Sequence, residues 1–470
     1  VRFKSRLSLL LSAIFLLLAP SSAKHFGGLW SVEPSPAFGG FRRSGLGDYS
    51  TSNRVSSTGS VILFIGDGMG PVQVEAACEA YGLSAFDRMA ARGTVTTSSY
   101  RSSITDSAAA ATALSTGTKT RNGVVGLGPD GRKLKTIIEA ASEAGLRTGL
   151  ITTENVTGAT VAAFAAHVSS RRQELEIARQ MAGARLDALL GGGRHAFMRR
   201  GSGRRKEGPD LLAQMRARGS HFVSTPQELE SARLAPIVGL FAGGSLPCAL
   251  DRLPGQGPTL AGMVRAALRV LSASRQTGRG FLLVAEEAHI DWACHGNDAA
   301  GCVAEVRELE QALREALDFA ERRGGVTVIV TADHETGGMK IADHSRVHFL
   351  ASVRASANRM AALAGRNSAG LRKVLAAQAN VASLNDEEAS RVLQARGRGI
   401  AIGRLVSSLG GVSWTSTGHT ETPVPIYASG PGAQQCARRM DNTEVARLVA
   451  QCLGLASFTA DVRARAQAHN

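Results

Sequence analysis

Two kinds of hydrophobic pattern alternate along the chain. Continuous apolar runs, closed by small or polar residues, recur at Val61–Ile65, Thr148–Thr152, Phe281–Ala285, Val326–Thr331 and Val424–Ala428. Runs this short without polar alternation predict strands covered on both faces, as in parallel sheets. Between them, apolar residues return every three or four positions. Val306, Leu309, Leu313, Leu317 and Ala320 form the clearest stripe, with charges on the other face, and predict an amphipathic helix. Strands alternating with helices predict an α/β fold: a three-layer sandwich around a mostly parallel central sheet.

The pattern shifts over residues 351–409, where strand signals fade and amphipathic stripes dominate. Asn385 followed three residues later by Glu388 predicts a helix start of the capping-box type. This stretch reads as a helical insertion, and strand character resumes near Val412. At the front, Arg2, Lys4 and Arg6 precede the apolar run Leu7–Ala19 and the small residues Ser21, Ser22 and Ala23. That order predicts a cleaved signal peptide over residues 1–23, hence a secreted or periplasmic protein exported by a bacterium, with no stable membrane insertion afterwards. Residues 24–56, rich in Gly, Ser and Pro, read as a flexible arm. The α/β domain is then expected over 57–456, with a tail over 457–470.

Composition narrows the function classes. Of 470 residues, 44% are hydrophobic and 20% charged, which excludes a disordered or fibrous chain. The formal net charge of +15 favours anionic substrates or surfaces. Aromatics are too sparse, at 5%, to suggest a base-stacking surface. The densest basic run, Arg199 to Lys206, is broken by Gly and Ser and reads as a solvated loop, so no specific nucleic-acid partner is expected. Export would permit disulfides among the six cysteines. Cys248 with Cys302 and Cys436 with Cys452 are the expected bridges, leaving Cys78 and Cys294 free or joined.

In open α/β sheets ligands gather beyond the carboxyl ends of strands. Gly66-Asp67-Gly68-Met69-Gly70 follows the first apolar run, Glu286, Asp291 and His295 follow the third, and Asp333-His334-Glu335 follows the fourth. Thr417-Gly418-His419-Thr420 precedes the fifth. Each alone has a bland reading, as a turn or a structural pair. Together, carboxylates and imidazoles at so many strand ends suit a multinuclear metal site. A fifth segment, Thr105-Asp106-Ser107, opens an alanine-rich helix. Asp106 or Ser107 serves there as an N-cap, or Ser107 is a nucleophile where free N–H groups and the helix dipole favour phosphate.

From about Ser60 to Leu455 these segments resemble the alkaline phosphatase family. The carrying motifs are Gly66–Gly70, the TDSAAAATALSTGTKT stretch from Thr105 to Thr120, Glu286–His295, Asp333–Glu335, Thr417–His419 and the loop Leu190–Arg194. The resemblance implies metal-dependent hydrolysis of phosphate monoesters, broad in substrate range, through a phosphoserine at Ser107. It implies two Zn2+ ions per chain, one held by Asp291, His295 and His419, the other by Asp67, Asp333 and His334. It implies one Mg2+ held by Asp67, Thr160 and Glu286. Arg171 would clamp the phosphate with a bidentate fork, Arg172 being its neighbour in register. The partners implied are small phosphomonoesters, and a homodimer is compatible with the family.

Three positions depart from the family's pattern. Gly158 stands where many relatives carry Asp or His, so the magnesium is expected to be weakly held. Trp292 takes a position that is Lys or His in other branches, leaving one cation fewer near the phosphate. Glu287 replaces a common Gly and has no mechanistic reading from the sequence. His167, His344 and His348 read as structural or surface residues, and Cys294 as packed or bonded. Ser107-Ala108-Ala109 lacks the Cys/Ser-x-Pro-x-Arg motif of sulfatases, and the Arg171 segment argues against a phosphodiesterase of the same superfamily. A non-catalytic polyanion-binding module would lack metal ligands that are all present.

Overall fold

The computed structural model describes residues 59–198, 210–273 and 279–467. The expected signal segment, the arm and the basic run at Arg199–Lys206 lie outside the described residues. Among the described residues fourteen strands run in chain order. They are β1 (Ser60–Gly66), β2 (Ala91–Thr96), β3 (Arg147–Asn155), β4 (Ala188–Gly192), β5 (His221–Val223), β6 (Ile237–Leu240) and β7 (Phe281–Glu287), followed by β8 (Val326–Ala332), β9 (Glu335–Thr336), β10 (Met339–Ile341), β11 (Val412–Trp414), β12 (His419–Thr420), β13 (Val424–Ser429) and β14 (Arg439–Asp441).

Ten of them form one sheet in the order β14-β2-β13-β8-β1-β7-β3-β4-β6-β5. Every neighbouring pair in it is parallel except those made by β13, which runs against both β8 and β2. The five apolar runs are β1, β3, β7, β8 and β13, so the expected mostly parallel α/β sheet is observed. The central strands β1, β7 and β8 are buried at every residue, because helices cover both faces. The helix Ala299–Arg323 carries the predicted apolar stripe, with Val306, Leu309, Leu313 and Leu317 buried. Helices Ala357–Leu363, Ser368–Ala379, Asp386–Gln394 and Arg398–Leu409 fill the segment between β10 and β11, and Asn385 with Glu388 closes the capping box.

Neither expected disulfide is formed. All six cysteines are free thiols. Cys302 faces Cys294, not Cys248, because the helices His289–His295 and Ala299–Arg323 follow one another and pack directly. Their sulfurs lie 3.5 Å apart, far beyond a covalent S–S length of about 2.05 Å. Cys248 instead donates to Asp251 Oδ2 at 3.2 Å, and Cys452 to the Pro431 carbonyl at 3.7 Å. Burial pushes the Cys436 thiol up to about 12, which disfavours the reactive thiolate.

Candidate metal and phosphate site

The site assembles where β1, β7 and β8 end side by side. Asp67 follows β1, Glu286 is the penultimate residue of β7, and Asp333 and His334 follow β8. Gly68 adopts φ +74°, and a Cβ there would sit 2.7 Å from Asp291 Cα. That close approach requires glycine and lets the turn after β1 pack against the helix His289–His295. The Gly68 N–H donates to Asp333 Oδ1 at 3.1 Å, tying the two strand ends together.

Two ligand-like clusters form. Asp67, Asp333 and His334 are wholly buried, whereas Asp291, His295 and His419 grade from buried to half-exposed. His334 Nε2 lies 3.3 Å from Asp333 Oδ2 and 3.5 Å from Asp67 Oδ1. In the outer cluster, His295 Nε2 lies 3.2 Å from Asp291 Oδ2, and His419 Nε2 3.6 Å from Asp291 Oδ1. The imidazoles of His334 and His419 stack at 3.6 Å and join the clusters. Backbone carbonyls orient the outer pair: His295 Nδ1 contacts Thr417 O at 2.5 Å and His419 Nδ1 contacts Thr105 O at 2.9 Å. Those contacts leave the Nε2 atoms facing inward.

A third group is all oxygen. Thr160 Oγ1 donates to Asp67 Oδ2 at 3.3 Å, and Thr152 Oγ1 to Glu286 Oε2 at 2.6 Å. Burial and the neighbouring Glu154 carboxylate push Glu286 up to about 8. Burial and Asp291 push Asp333 up to about 7, and burial with Asp333 and Asp291 pushes Asp67 up well beyond its ordinary range. Burial would also raise Asp291, but the hydrogen bond from His295 and the field of His334 outweigh it and hold the carboxyl near about 2. Buried Asp67 Oδ1, Asp333 Oδ2 and Glu286 Oε1 have no hydrogen-bond partner. Crowded acids with orphaned oxygens are stabilised by a cation placed among them. The mixed His and Asp sets fit zinc, and the Asp67, Thr160 and Glu286 set fits magnesium.

Ser107 opens the helix Ser107–Thr116, every residue of which is buried. The small alanines allow that burial on all sides. Asp106 is the cap, its side chain accepting from Ala109 N at 3.0 Å, and Ser107 follows it with Oγ 3.3 Å from His334 Nε2. Of the two residues offered as the N-cap, Asp106 fills that role, which leaves the Ser107 hydroxyl free of it. Arg171 reaches the same helix end, with Nη1 3.2 Å from Asp106 Oδ2, while Arg172 is exposed.

Several contributors escape a reading by motif. Asp106 positions Arg171. Thr336 donates to Asp291 Oδ1 at 2.6 Å. Glu335 accepts from Gln73 Nε2 at 2.6 Å and from the Thr420 hydroxyl, anchoring the strand that carries His419. Glu154, the penultimate residue of β3, sets its Oε2 2.3 Å from where a Cβ on residue 158 would lie, so its carboxylate occupies the space left by Gly158. Trp292 is 47% exposed and sets its ring edge-on to His289 at 4.8 Å. His167 is structural, bridging Gly126 O at 2.7 Å and Glu139 Oε1 at 2.9 Å, and His344 pairs with Glu79 at the surface.

The family model described as alkaline phosphatase matches residues 59–455. Alkaline phosphatase 4 of Bacillus subtilis is 35% identical over 418 residues, covering 84% of this chain and 88% of that protein. The crystal structure of Thermus thermophilus alkaline phosphatase superposes with a TM-score of 0.77 at 32% identity, covering 85% of this chain and 92% of that one. A variant alkaline phosphatase from the Antarctic bacterium TAB5, solved with magnesium bound, superposes with a TM-score of 0.64 at 27% identity, covering 85% and 99%.

Proposed function

The chain belongs to the alkaline phosphatase family, and from that premise we propose which of its residues carry the metal-dependent hydrolysis of phosphate monoesters through a phosphoserine that characterises the family. Ser107 is the nucleophile. Asp291, His295 and His419 hold one zinc, Asp67, Asp333 and His334 a second, and Asp67, Thr160 and Glu286 a magnesium. The observation that carries this reading is the convergence of the Ser107 hydroxyl on His334, at the N-terminus of a buried helix, beside two clusters of metal donors.

Zinc in such clusters supplies Lewis-acid charge that lowers the cost of the Ser107 alkoxide and offsets charge on the phosphoryl oxygens. The chain's own residues do the rest. The helix N-terminus presents unpaired N–H groups to an incoming phosphate. Arg171, held toward the site by Asp106, offers its fork to two equatorial oxygens. Ser107 Oγ forms the new bond to phosphorus as the alcohol departs. Water then displaces Ser107 from phosphorus and releases inorganic phosphate. It arrives from the half-exposed side, where His295 and His419 border solvent. The buried ligands keep the serine and its carboxylates away from bulk water. Because these contacts address the phosphoryl group and not the alcohol, a broad range of monoesters is expected.

Glu154 stands beside Glu286 as an outer carboxylate of the magnesium site, in place of a side chain at 158. Export is supported by the charged start and apolar run of residues 1–23. Among the described residues no helix is long and apolar enough to cross a membrane. The test is hydrolysis of a chromogenic phosphomonoester by purified protein. Activity should vanish on chelation, return with zinc and rise further with magnesium, and a matched phosphodiester should turn over far more slowly. Activity indifferent to chelation would overturn the assignment of the clusters.

A further inference from the structure

Glu287 departs from the family pattern, and its environment gives that departure a role. It is the last residue of β7 and wholly buried. His289, at the start of the next helix, is 3% exposed, and Glu305, on the helix Ala299–Arg323, is 2% exposed. One donor atom from each of the three lies within 4.8 Å of the others. The Glu287 Oε2 atom and both ring nitrogens of His289 are buried without any hydrogen-bond partner.

The remaining polar atoms nearby are already engaged. Thr153 Oγ1 donates to Glu287 Oε1 at 2.8 Å, and Ala249 N to Glu305 Oε1 at 2.7 Å. Arg252, whose charge bears on Glu305, is bound to Glu308 at 2.7 Å. Burial pushes Glu305 well above its ordinary range, with the Glu287 charge as the next cause. A protonated imidazole bridging two carboxylates would make hydrogen bonds of about 2.7–2.9 Å from both nitrogens. Instead His289 Nδ1 stands 3.5 Å from Glu287 Oε1. Donors about 2.0–2.2 Å from a tetrahedral ion are about 3.4 Å apart. The same spacing recurs in the other two clusters, at 3.2–3.6 Å.

We propose that Glu287, His289 and Glu305 bind a further divalent transition-metal ion, zinc by the match to one imidazole and two carboxylates. The site is structural. It joins the end of β7 to the two helices that follow, and the Glu287 carbonyl accepts from Asp67 N at 3.0 Å, so it braces a strand end that carries the active site. Its three donors are distinct from those of the Ser107 site.

The test counts metal in the full chain purified from zinc-supplemented medium and stripped of loose metal by brief gel filtration. Elemental analysis should find one zinc per chain fewer in Glu287→Gln and in Glu305→Gln than in the parent, with hydrolysis of the chromogenic monoester retained. Equal zinc counts would overturn the proposal. Because either variant can fail to fold, anomalous diffraction at the zinc edge from parent crystals grown without added zinc decides independently. A peak between Glu287, His289 and Glu305 supports the site. Peaks confined to the His334 and His419 clusters, leaving His289 as a proton-sharing partner of its glutamates, overturn it.

Discussion

Ser107 and His334, 227 residues apart in sequence, meet with Oγ 3.3 Å from Nε2 in a fully buried setting. The imidazole cannot act there as an ordinary base. Burial and the neighbouring His419 pull it down to about 3, so it stays neutral and is suited to hold a metal. Ser107→Ala should therefore lower kcat by on the order of a thousandfold or more while the protein folds and keeps its metals. Acid quenching of the parent with substrate should trap a phosphopeptide containing Ser107. Parent-like turnover in Ser107→Ala would assign the nucleophile elsewhere.

The outer cluster draws its donors from two separate segments, the helix His289–His295 and β12. His419→Ala removes a donor whose ring also stacks on His334. The expected result is a loss of about one zinc per chain by elemental analysis, with Ser107 no longer phosphorylated at a measurable rate. Retention of the full zinc content would dissolve the proposed ligand set.

The strands that frame this site were legible because both faces of β1, β7 and β8 are buried, which leaves an uninterrupted apolar run. The reversal of β13 was not legible. Val424–Ala428 reads alike in either direction, and only its pairing with β8 and β2 fixes the sense. Ligand candidates stood out because carboxylates and imidazoles directly after such runs are conspicuous. Their supports did not. Thr336, Asp106 and Glu154 look like ordinary polar residues until the fold brings Asp291, Arg171 and Gly158 to them. The cysteines failed for the same reason, since a bridge depends on Cα separation and side-chain direction, which spacing does not encode.

His167 and Glu139 give a pH-dependent stability term away from the site. Burial would lower His167, but the Glu139 hydrogen bond outweighs it and the imidazole is raised above its ordinary 6.5. Its contribution is present below pH 6.5 and is lost as pH rises through the raised value. Glu139 is lowered from 4.5, the bond from His167 outweighing burial, so its contribution is present above 4.5 and is lost as pH falls through the lowered value. Glu139→Gln can keep the capping bond from Thr136 N on its one acceptor oxygen, and it replaces the charged oxygen facing His167 with an amide group that cannot accept from the imidazolium. Urea denaturation should show a cost of about 1 kcal/mol near pH 5.5, shrinking toward zero at pH 9, because Glu139 is partly solvated. A cost independent of pH would mean that packing, not the charge, matters at this position.

Gly158 and Glu154 share one volume. The sequence suggested that a side chain missing at 158 leaves magnesium with Asp67, Thr160, Glu286 and water. The structure fills that space from β3 instead, and the Glu154 charge contributes to raising Glu286. An outer carboxylate orients bound water and the primary ligands, and its loss typically costs 10- to 100-fold in metal affinity by the general behaviour of such groups, so we expect about tenfold here for a half-buried one. Glu154→Ala should therefore raise the magnesium concentration for half-maximal activity about tenfold and lower the magnesium content of dialysed protein. Gly158→Asp alone should bring no gain, since its Cβ would fall 2.3 Å from Glu154 Oε2 and one carboxylate must give way. The combined Glu154→Ala and Gly158→Asp variant relieves that conflict and should recover most of the lost affinity. If Glu154→Ala leaves magnesium content unchanged, the carboxylate plays no part in the metal's shell. If Gly158→Asp alone tightens magnesium, the two side chains do not compete and the space at 158 is open after all.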